Sequence, residues 1–245
     1  MNALECHSVI KKYKKTKGKL PFSLNIEQFY IEEGDINSLI GLNGSGKTTL
    51  LKIITNLQFY DKGCINIFGL DHKSKKNRHI ISYLPENFSF PSNFTVKEVL
   101  MYYLAIKSSN YRVKKYMDEA IGKFNLEDYL HKKIHELSKG MYQNLALAIT
   151  LTIKSDFYIL DEPFNGLDNL QKKNVINLLI NKNKKHNVTL FVITHIFSDI
   201  EKFVKNVSVM HQGSIISNKS LNNILEDYNS ISDYFFSLLD KSSND

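Results

Sequence analysis

The chain has 245 residues, 42% of them apolar, and a formal net charge of +7. That length can bury a substantial core as one large α/β domain or two small ones, which excludes disordered and short disulfide-framed classes. No apolar run reaches the ~18 residues of a membrane span, and Met1 to Ile10 lacks a signal-peptide apolar core, so neither spanning nor export of the chain is expected.

Taken in order, Leu4 to Ile10 and Phe22 to Ile31 alternate as antiparallel strands do. The lysine-rich stretch 11–19 between them reads as a solvated loop. It lacks the interleaved aromatic and basic residues of a single-strand binder, so no nucleic-acid partner is expected. A Gly34-Asp35 turn leads into an apolar strand, Ile36 to Ile40. A helix is predicted from Thr48 to Leu57, with Leu50, Leu51, Ile54 and Leu57 at helical spacing. Gly63 to Phe68 and Ile80 to Leu84 are further strands, the second stopped by Pro85. Helical periodicity dominates from Thr95 to Leu151. Thr95 and Glu98 have the spacing of a capping box, with Val99, Leu100, Tyr103 and Leu104 on one face. Tyr116 to Phe124 and Ser138 to Thr150 read as two more helices. Strands return at Phe157 to Leu160, Thr189 to Thr194 and Val207 to Met210. One acidic and aromatic helix, Leu221 to Leu239, is expected to pack on the core, and the polar end from Ser242 to fray. Cys6 and Cys64 are distant in sequence and lack metal-ligand spacing, which predicts a reducing compartment and neither disulfide nor zinc site.

Two stretches carry chemistry. Gly41, Gly46, Lys47 and Thr48 fit G-x-x-x-x-G-K-[ST] between a strand and a helix. Backbone N–H groups of such a loop (Asn43, Gly44, Ser45, Gly46, Thr49) surround phosphate oxygens at a helix N-terminus, which carries roughly half a positive charge. Lys47 would reach the β- and γ-phosphates and Thr48 would offer its hydroxyl to Mg²⁺. The second stretch is Phe157-Tyr-Ile-Leu-Asp-Glu-Pro, where two carboxylates follow an apolar strand. Asp161 could enter the Mg²⁺ shell and Glu162 could polarise water for attack on the γ-phosphate.

Leu137-Ser-Lys-Gly-Met, shortly before the acidic strand, resembles the signature motif of the ABC ATPases, with Lys139 and Met141 in place of the usual glycine and glutamine. Asn144 stands where that family often has arginine. Asn165-Gly-Leu-Asp168 resembles the D-loop, His195 the switch histidine at the γ-phosphate, and Tyr13 the aromatic residue that stacks on adenine. Glu86, in Tyr-Leu-Pro-Glu, stands where the Q-loop glutamine touches Mg²⁺. An ionised carboxylate cannot donate a hydrogen bond, so it would approach Mg²⁺ through water.

The resemblance, over about Leu4 to Ile216, implies an α/β fold. It would have a P-loop NTPase core with a mostly parallel sheet, an N-terminal antiparallel β subdomain and an inserted α-helical subdomain. The implied division is one ATPase domain over 1–220, a helical insert near 88–150, and a helical extension and tail over 221–245. The implied activity is ATP hydrolysis with ATP and Mg²⁺, in a homo- or heterodimer where Ser138 and Gly140 of one subunit close on the ATP held by the other. The implied partner is a membrane-spanning transporter subunit, with the chain on the cytoplasmic face of the cell membrane. Tyr-Leu-Pro-Glu and Leu-Ser-Lys-Gly-Met resemble exporter-type members. A soluble ABC ATPase in cluster assembly or translation is the rival reading.

Overall fold

The computed structural model describes residues 1–13, 22–107 and 112–242. Residues 14–19 of the lysine-rich stretch and the tail beyond 242 lie outside them. The chain begins with β1 (Asn2–Lys12), β2 (Ser23–Glu32), β3 (Ile36–Ile40), α1 (Lys47–Ile54), β4 (Lys62–Ile67) and β5 (Leu70–Asp71). Then come α2 (Asn77–Ile80), β6 (Ile81–Leu84), α3 (Val96–Lys107), α4 (Val113–Phe124), α5 (Lys139–Thr152) and β7 (Phe157–Asp161). The last third holds α6 (Asn169–His186), β8 (Thr189–Ile193), α7 (Phe197–Ile200), β9 (Asn206–His211), β10 (Ser214–Ser220), α8 (Leu221–Asp227) and α9 (Ile231–Ser242).

Two sheets result. A four-stranded antiparallel sheet runs β2-β1-β4-β5, and a six-stranded sheet runs β10-β9-β3-β8-β7-β6. The larger sheet is parallel from β9 to β6, and only its edge strand β10 is antiparallel. The fold is therefore an α/β P-loop core with a mostly parallel sheet and an antiparallel β unit, as the motifs imply.

Side chains alternate across the larger sheet, as the two-residue period of a strand requires. Phe157, Ile159, Phe191 and Ile193 face α1 and the antiparallel sheet, whereas Tyr158, Leu160, Leu190 and Val192 face the helices on the other side. α1 is thus enclosed between two sheets, with Leu50, Leu51, Ile53 and Ile54 fully buried. Each such side chain contributes about 1.5–3 kcal/mol, and together they fix the loop that precedes α1.

Several boundaries differ from the sequence expectation. α1 stops at Ile54, and Leu57 lies beyond it, 67% exposed, because the chain turns at Thr55 and Asn56. The single helix expected over 221–239 is two: α8 ends at Asp227, and Tyr228 turns into extended backbone before α9 begins. Cys6 and Cys64 lie on paired strands, where Cys6 faces Ile65 and His7 faces Cys64, and both are free thiols. The Thr95 box is present: Glu98 Oε2 accepts the Thr95 N–H at 2.7 Å, and Thr95 Oγ1 accepts the Glu98 N–H at 3.3 Å.

α6, β5, β10 and the short helices α2 and α7 add to the expected elements. α6 is polar on most faces and buries Val175, Ile176, Leu179 and Asn183, too few apolar contacts to announce a helix. Its start is nonetheless capped in both directions. Asp168 accepts the Gln171 N–H at 2.8 Å, and Gln171 Oε1 accepts the Asp168 N–H at 3.1 Å. Among the described residues, no helix is long and apolar enough to cross a membrane.

Candidate active site

β3, β8 and β7 are neighbours in the sheet, and their C-terminal ends open on one cavity of about 920 Å³. β3 leads into the glycine loop, so Gly41, Asn43, Gly44, Gly46, Lys47, Thr48 and Thr49 all line it. Two features shape that loop. Gly46 sits at φ 112° just before α1, a left-handed conformation that favours glycine. Gly41 passes so close to β9 that a Cβ there would lie 2.4 Å from the Met210 carbonyl oxygen. Ser45 is buried and does not line the cavity, and its carbonyl accepts the Gly213 N–H at 2.8 Å.

The Lys47 ammonium donates to the carbonyls of Gly41 at 2.7 Å and Leu42 at 3.1 Å. Burial lowers its pKa, against Glu162, Asp161 and Glu86, which favour the charged form. At the end of β7, Asp161 is 3% exposed, and its Oδ2 has no hydrogen-bond partner. Burial first, and then the charges of Glu86 and Glu162, push its pKa up to about 7, while Lys47 and the Glu86 N–H pull it down.

A buried carboxylate oxygen with no donor beside it fits a divalent cation. Among the described residues, no three His, Cys, Asp or Glu side chains gather into a self-sufficient metal cage. That suits Mg²⁺, which binds through one or two carboxylates together with substrate phosphates. Thr48 and Glu86 line the same cavity, and both are exposed.

The raised value fixes the sign of one pH effect. Asp161 binds its proton more tightly when folded, so its contribution to stability is complete below the ordinary value of 3.8 and is lost as the pH rises through about 7. Asp161→Asn removes the charge and keeps the shape. Without nucleotide and in a chelator, its Tm should exceed that of the parent chain by a few degrees at pH 8, and the gap should close as the pH falls to 5. Equal melting curves at both pH values would contradict this.

Glu162, with φ 50°, turns its carboxylate toward the end of β8. Its Oε1 accepts the His195 backbone N–H at 3.1 Å and lies 2.8 Å from His195 Nδ1. Its Oε2 accepts the Thr194 hydroxyl at 3.1 Å. Gln143 of α5 donates to the Pro163 carbonyl at 3.0 Å and steadies the turn from behind. Glu162 and His195, 33 residues apart, thus form one hydrogen-bonded pair on the cavity wall.

At the other end of the cavity, Tyr13 lies 3.3 Å from Thr49 Oγ1, accepts a hydrogen bond from Gln58, and packs on Phe22 with ring centroids 5.9 Å apart. Phe22, Leu42, Phe197, Phe235 and Phe236 also line the cavity. Only folding brings these apolar residues together. The last two come from α9, for which the sequence carries no motif.

Ser138, Gly140 and Asp168 do not line the cavity. Ser138 is the exposed N-cap of α5, accepting the Met141 N–H at 3.3 Å. A Cβ on Gly140 would lie 2.7 Å from the Gly166 carbonyl oxygen, and Lys139 Nζ donates to Asn165 Oδ1 at 2.8 Å. Lys139 therefore ties the start of α5 to the turn before α6. Asn144, inside α5, donates to the Phe124 carbonyl at 2.6 Å and to Tyr129 at 3.0 Å. Within one turn of the Lys139 contact, Tyr142 stacks on Phe88 at 5.2 Å and 14°, donates to the Phe88 carbonyl at 3.2 Å, and accepts the Phe90 N–H at 2.9 Å.

Residues 24–165 match the protein family described as ABC transporter. The chain is 32% identical over 188 residues to the bacitracin transport ATP-binding protein BcrA of Bacillus licheniformis, covering 76% of this chain and 61% of that protein. It is 34% identical over 189 residues to the zinc uptake system ATP-binding protein ZurA of Listeria innocua serovar 6a, covering 73% of each. A solved structure of an ATP-binding subunit of an ABC transporter superposes with a TM-score of 0.83 at 25% identity, over 97% of this chain and 99% of that one. Three curated relatives, BcrA among them, are longer: the chain spans 61–64% of their lengths.

Proposed function

The chain belongs to the ABC transporter family, and from that premise we propose that it is the ATP-binding and ATP-hydrolysing motor subunit of a transporter, driving a separate membrane-spanning partner. The observation that carries this reading is the convergence of Lys47, Thr48, Asp161, Glu162 and His195 on one cavity. Lys47 and the loop N–H groups hold the triphosphate. Glu162 accepts the proton of the attacking water, and His195, hydrogen-bonded to it, meets the γ-phosphate. Tyr13 stacks on the adenine. When bound, Mg²⁺ neutralises phosphoryl oxygen charge, with Thr48 and Asp161 as its ligands and Glu86 approaching through water.

The site is built as one half of a clamp. Ser138 and Gly140 present a helix N-terminus outside the cavity, free to close on the γ-phosphate held by a second copy or a homologous subunit, and Asp168 lies beside that junction. ATP then bridges two subunits and hydrolysis removes the bridge, so chemistry becomes motion. We assign residues 1–220 to the ATPase unit, with 88–150 as its helical insert and 221–245 as an extension.

An exposed apolar cluster on and before α3, formed by Phe94, Met101, Tyr102 and Ile106 around a groove of about 600 Å³, supports a membrane-spanning partner. A patch of this kind marks an interaction surface. The subunit then sits peripherally on the cytoplasmic face, with no nucleic-acid partner. Export is the proposed direction, on the likeness of Leu-Ser-Lys-Gly-Met and Tyr-Leu-Pro-Glu to exporter-type members. Likeness to a zinc uptake protein favours import as the second reading.

The test is recovery of the chain from its own cells. It is expected to sediment with membranes and to co-purify with a protein bearing several apolar helices, and ATP-driven substrate movement in inverted against right-side-out vesicles gives the direction. Sedimentation with ribosomes would place it instead among the soluble ABC ATPases of translation or assembly.

A further inference from the structure

The switch segment is short and poorly self-supporting. His195 projects from the end of β8 with its side chain 60% exposed, so packing of its own ring does not hold it. The next element, α7, is a four-residue turn (Phe197–Ile200), far below the length at which a helix stands alone. Its Ile200 is fully buried in the core, and three further contacts brace it from outside. Lys172 of α6 pairs with Asp199 at 2.8 Å. The Phe197 ring packs on Phe235 of α9, with centroids 5.2 Å apart and planes at 58°. Glu201, just past α7, accepts the backbone N–H of Ile231, the first residue of α9, at 2.7 Å. Two of the three anchors belong to α9.

α9 also has contacts away from the switch, through Tyr234. Ile231, Tyr234 and Phe235 are at most 1% exposed. Tyr234 hydrogen-bonds Ser217 of β10, and the Lys219 ammonium lies 5.8 Å from the Tyr234 ring centroid. The far edge of the large sheet therefore locates α9, α9 locates α7, and α7 locates the segment that carries the imidazole. Between α7 and the carboxylate the chain of bonds continues. The Ile196 N–H donates to Thr194 Oγ1 at 3.1 Å, and that hydroxyl donates to Glu162 Oε2 at 3.1 Å. Phe235 and Phe236 also reach the cavity wall beside His195.

We propose that α9 is a positioning element of the active site: through Phe235 and the Glu201–Ile231 hydrogen bond it holds α7, and thereby His195, in register with Glu162. The proposal rests on the reading that His195 acts in hydrolysis. Phe235 acts in this proposal through its contact with Phe197. Its loss lets the imidazole drift from Glu162 while the phosphate loop, on the other side of the cavity, keeps its shape.

The test compares Phe235→Ala, Phe235→Leu, Glu201→Ala and His195→Ala, each assayed for ATP affinity, KM, kcat and the nuclear magnetic resonance signal of the His195 ring. Phe235→Ala should lower kcat by about ten- to a hundredfold, the scale set by small misplacements of reacting groups, with a smaller change in ATP affinity than in kcat and the His195 signal shifted. Phe235→Leu should restore most of kcat. Should Phe235→Ala fail to fold, Glu201→Ala, which removes only the acceptor at the start of α9, should lower kcat in the same way and shift the same signal. An unshifted His195 signal and unchanged kcat in a folded variant overturn the positioning role. Full turnover in His195→Ala overturns instead the reading of His195 on which it rests.

Discussion

Glu162→Gln is expected to bind ATP as the parent chain does, to remain dimeric in its presence, and to lose turnover by about 10²- to 10⁴-fold, the usual worth of a positioned base. The geometry explains why the loss should be confined to chemistry. The side chain sits at the junction of β7 and β8, and its two oxygens accept from His195 N, His195 Nδ1 and Thr194 Oγ1. A glutamine fits the same space and can keep its oxygen toward the His195 donors while its amide NH2 faces the Thr194 hydroxyl, which can accept, but it cannot take a proton from water. The phosphate loop lies on another strand and keeps Lys47 in place. Sedimentation with and without ATP reads the dimer, and phosphate release reads the turnover. ATP held between two copies should become long-lived in this variant. An active Glu162→Gln chain would remove Glu162 from the mechanism.

Lys47→Ala is the complementary case, in which binding itself is expected to fail. The ammonium is half-buried, and among the described residues lining the cavity it is the lysine or arginine cation. Its partners here are two carbonyls of its own loop. Charge-assisted bonds to phosphate are stronger than these neutral ones, so an incoming triphosphate captures the ammonium. Losing one such bond costs about 1.5–3 kcal/mol, roughly ten- to 150-fold in ATP affinity. Calorimetric titration with ATP reads the effect directly. Because the side chain is not part of the core, the melting temperature without nucleotide should barely move. Undiminished ATP affinity would mean that the glycine loop is not the phosphate site.

What the sequence made legible was chemistry written in local order. The glycine loop, Asp161 and Glu162 each follow an apolar strand, and a strand C-terminus is where a parallel sheet presents ligand-binding groups. Less local facts stayed hidden. The pairing of Glu162 with His195 depends on β7 and β8 being neighbours, which no motif states. α6 escaped because its polar surface masks the period, although Asp168 and Gln171 spelled out its cap. β10 escaped for a similar reason: an edge strand of Ser, Asn and Lys shows little alternation. Phe235 and Phe236 looked like the apolar face of an accessory helix, and only the break after Asp227 turns α9 back toward the cavity. The departures at Lys139 and Asn144 are both engaged, one bonded to Asn165 and the other to Phe124 and Tyr129.

The Tyr142 stack has a mechanical consequence. Phe88 and Phe90 belong to the stretch that begins with Glu86 at the cavity, and Tyr142 belongs to the first turn of the helix capped by Ser138. With two hydrogen bonds and a ring stack between them, neither piece can rotate alone without breaking all three contacts. Glu86 and Ser138 are thus opposite ends of a single lever whose fulcrum is a tyrosine ring. The two ends are therefore joined directly through the Tyr142 contacts as well as along the chain.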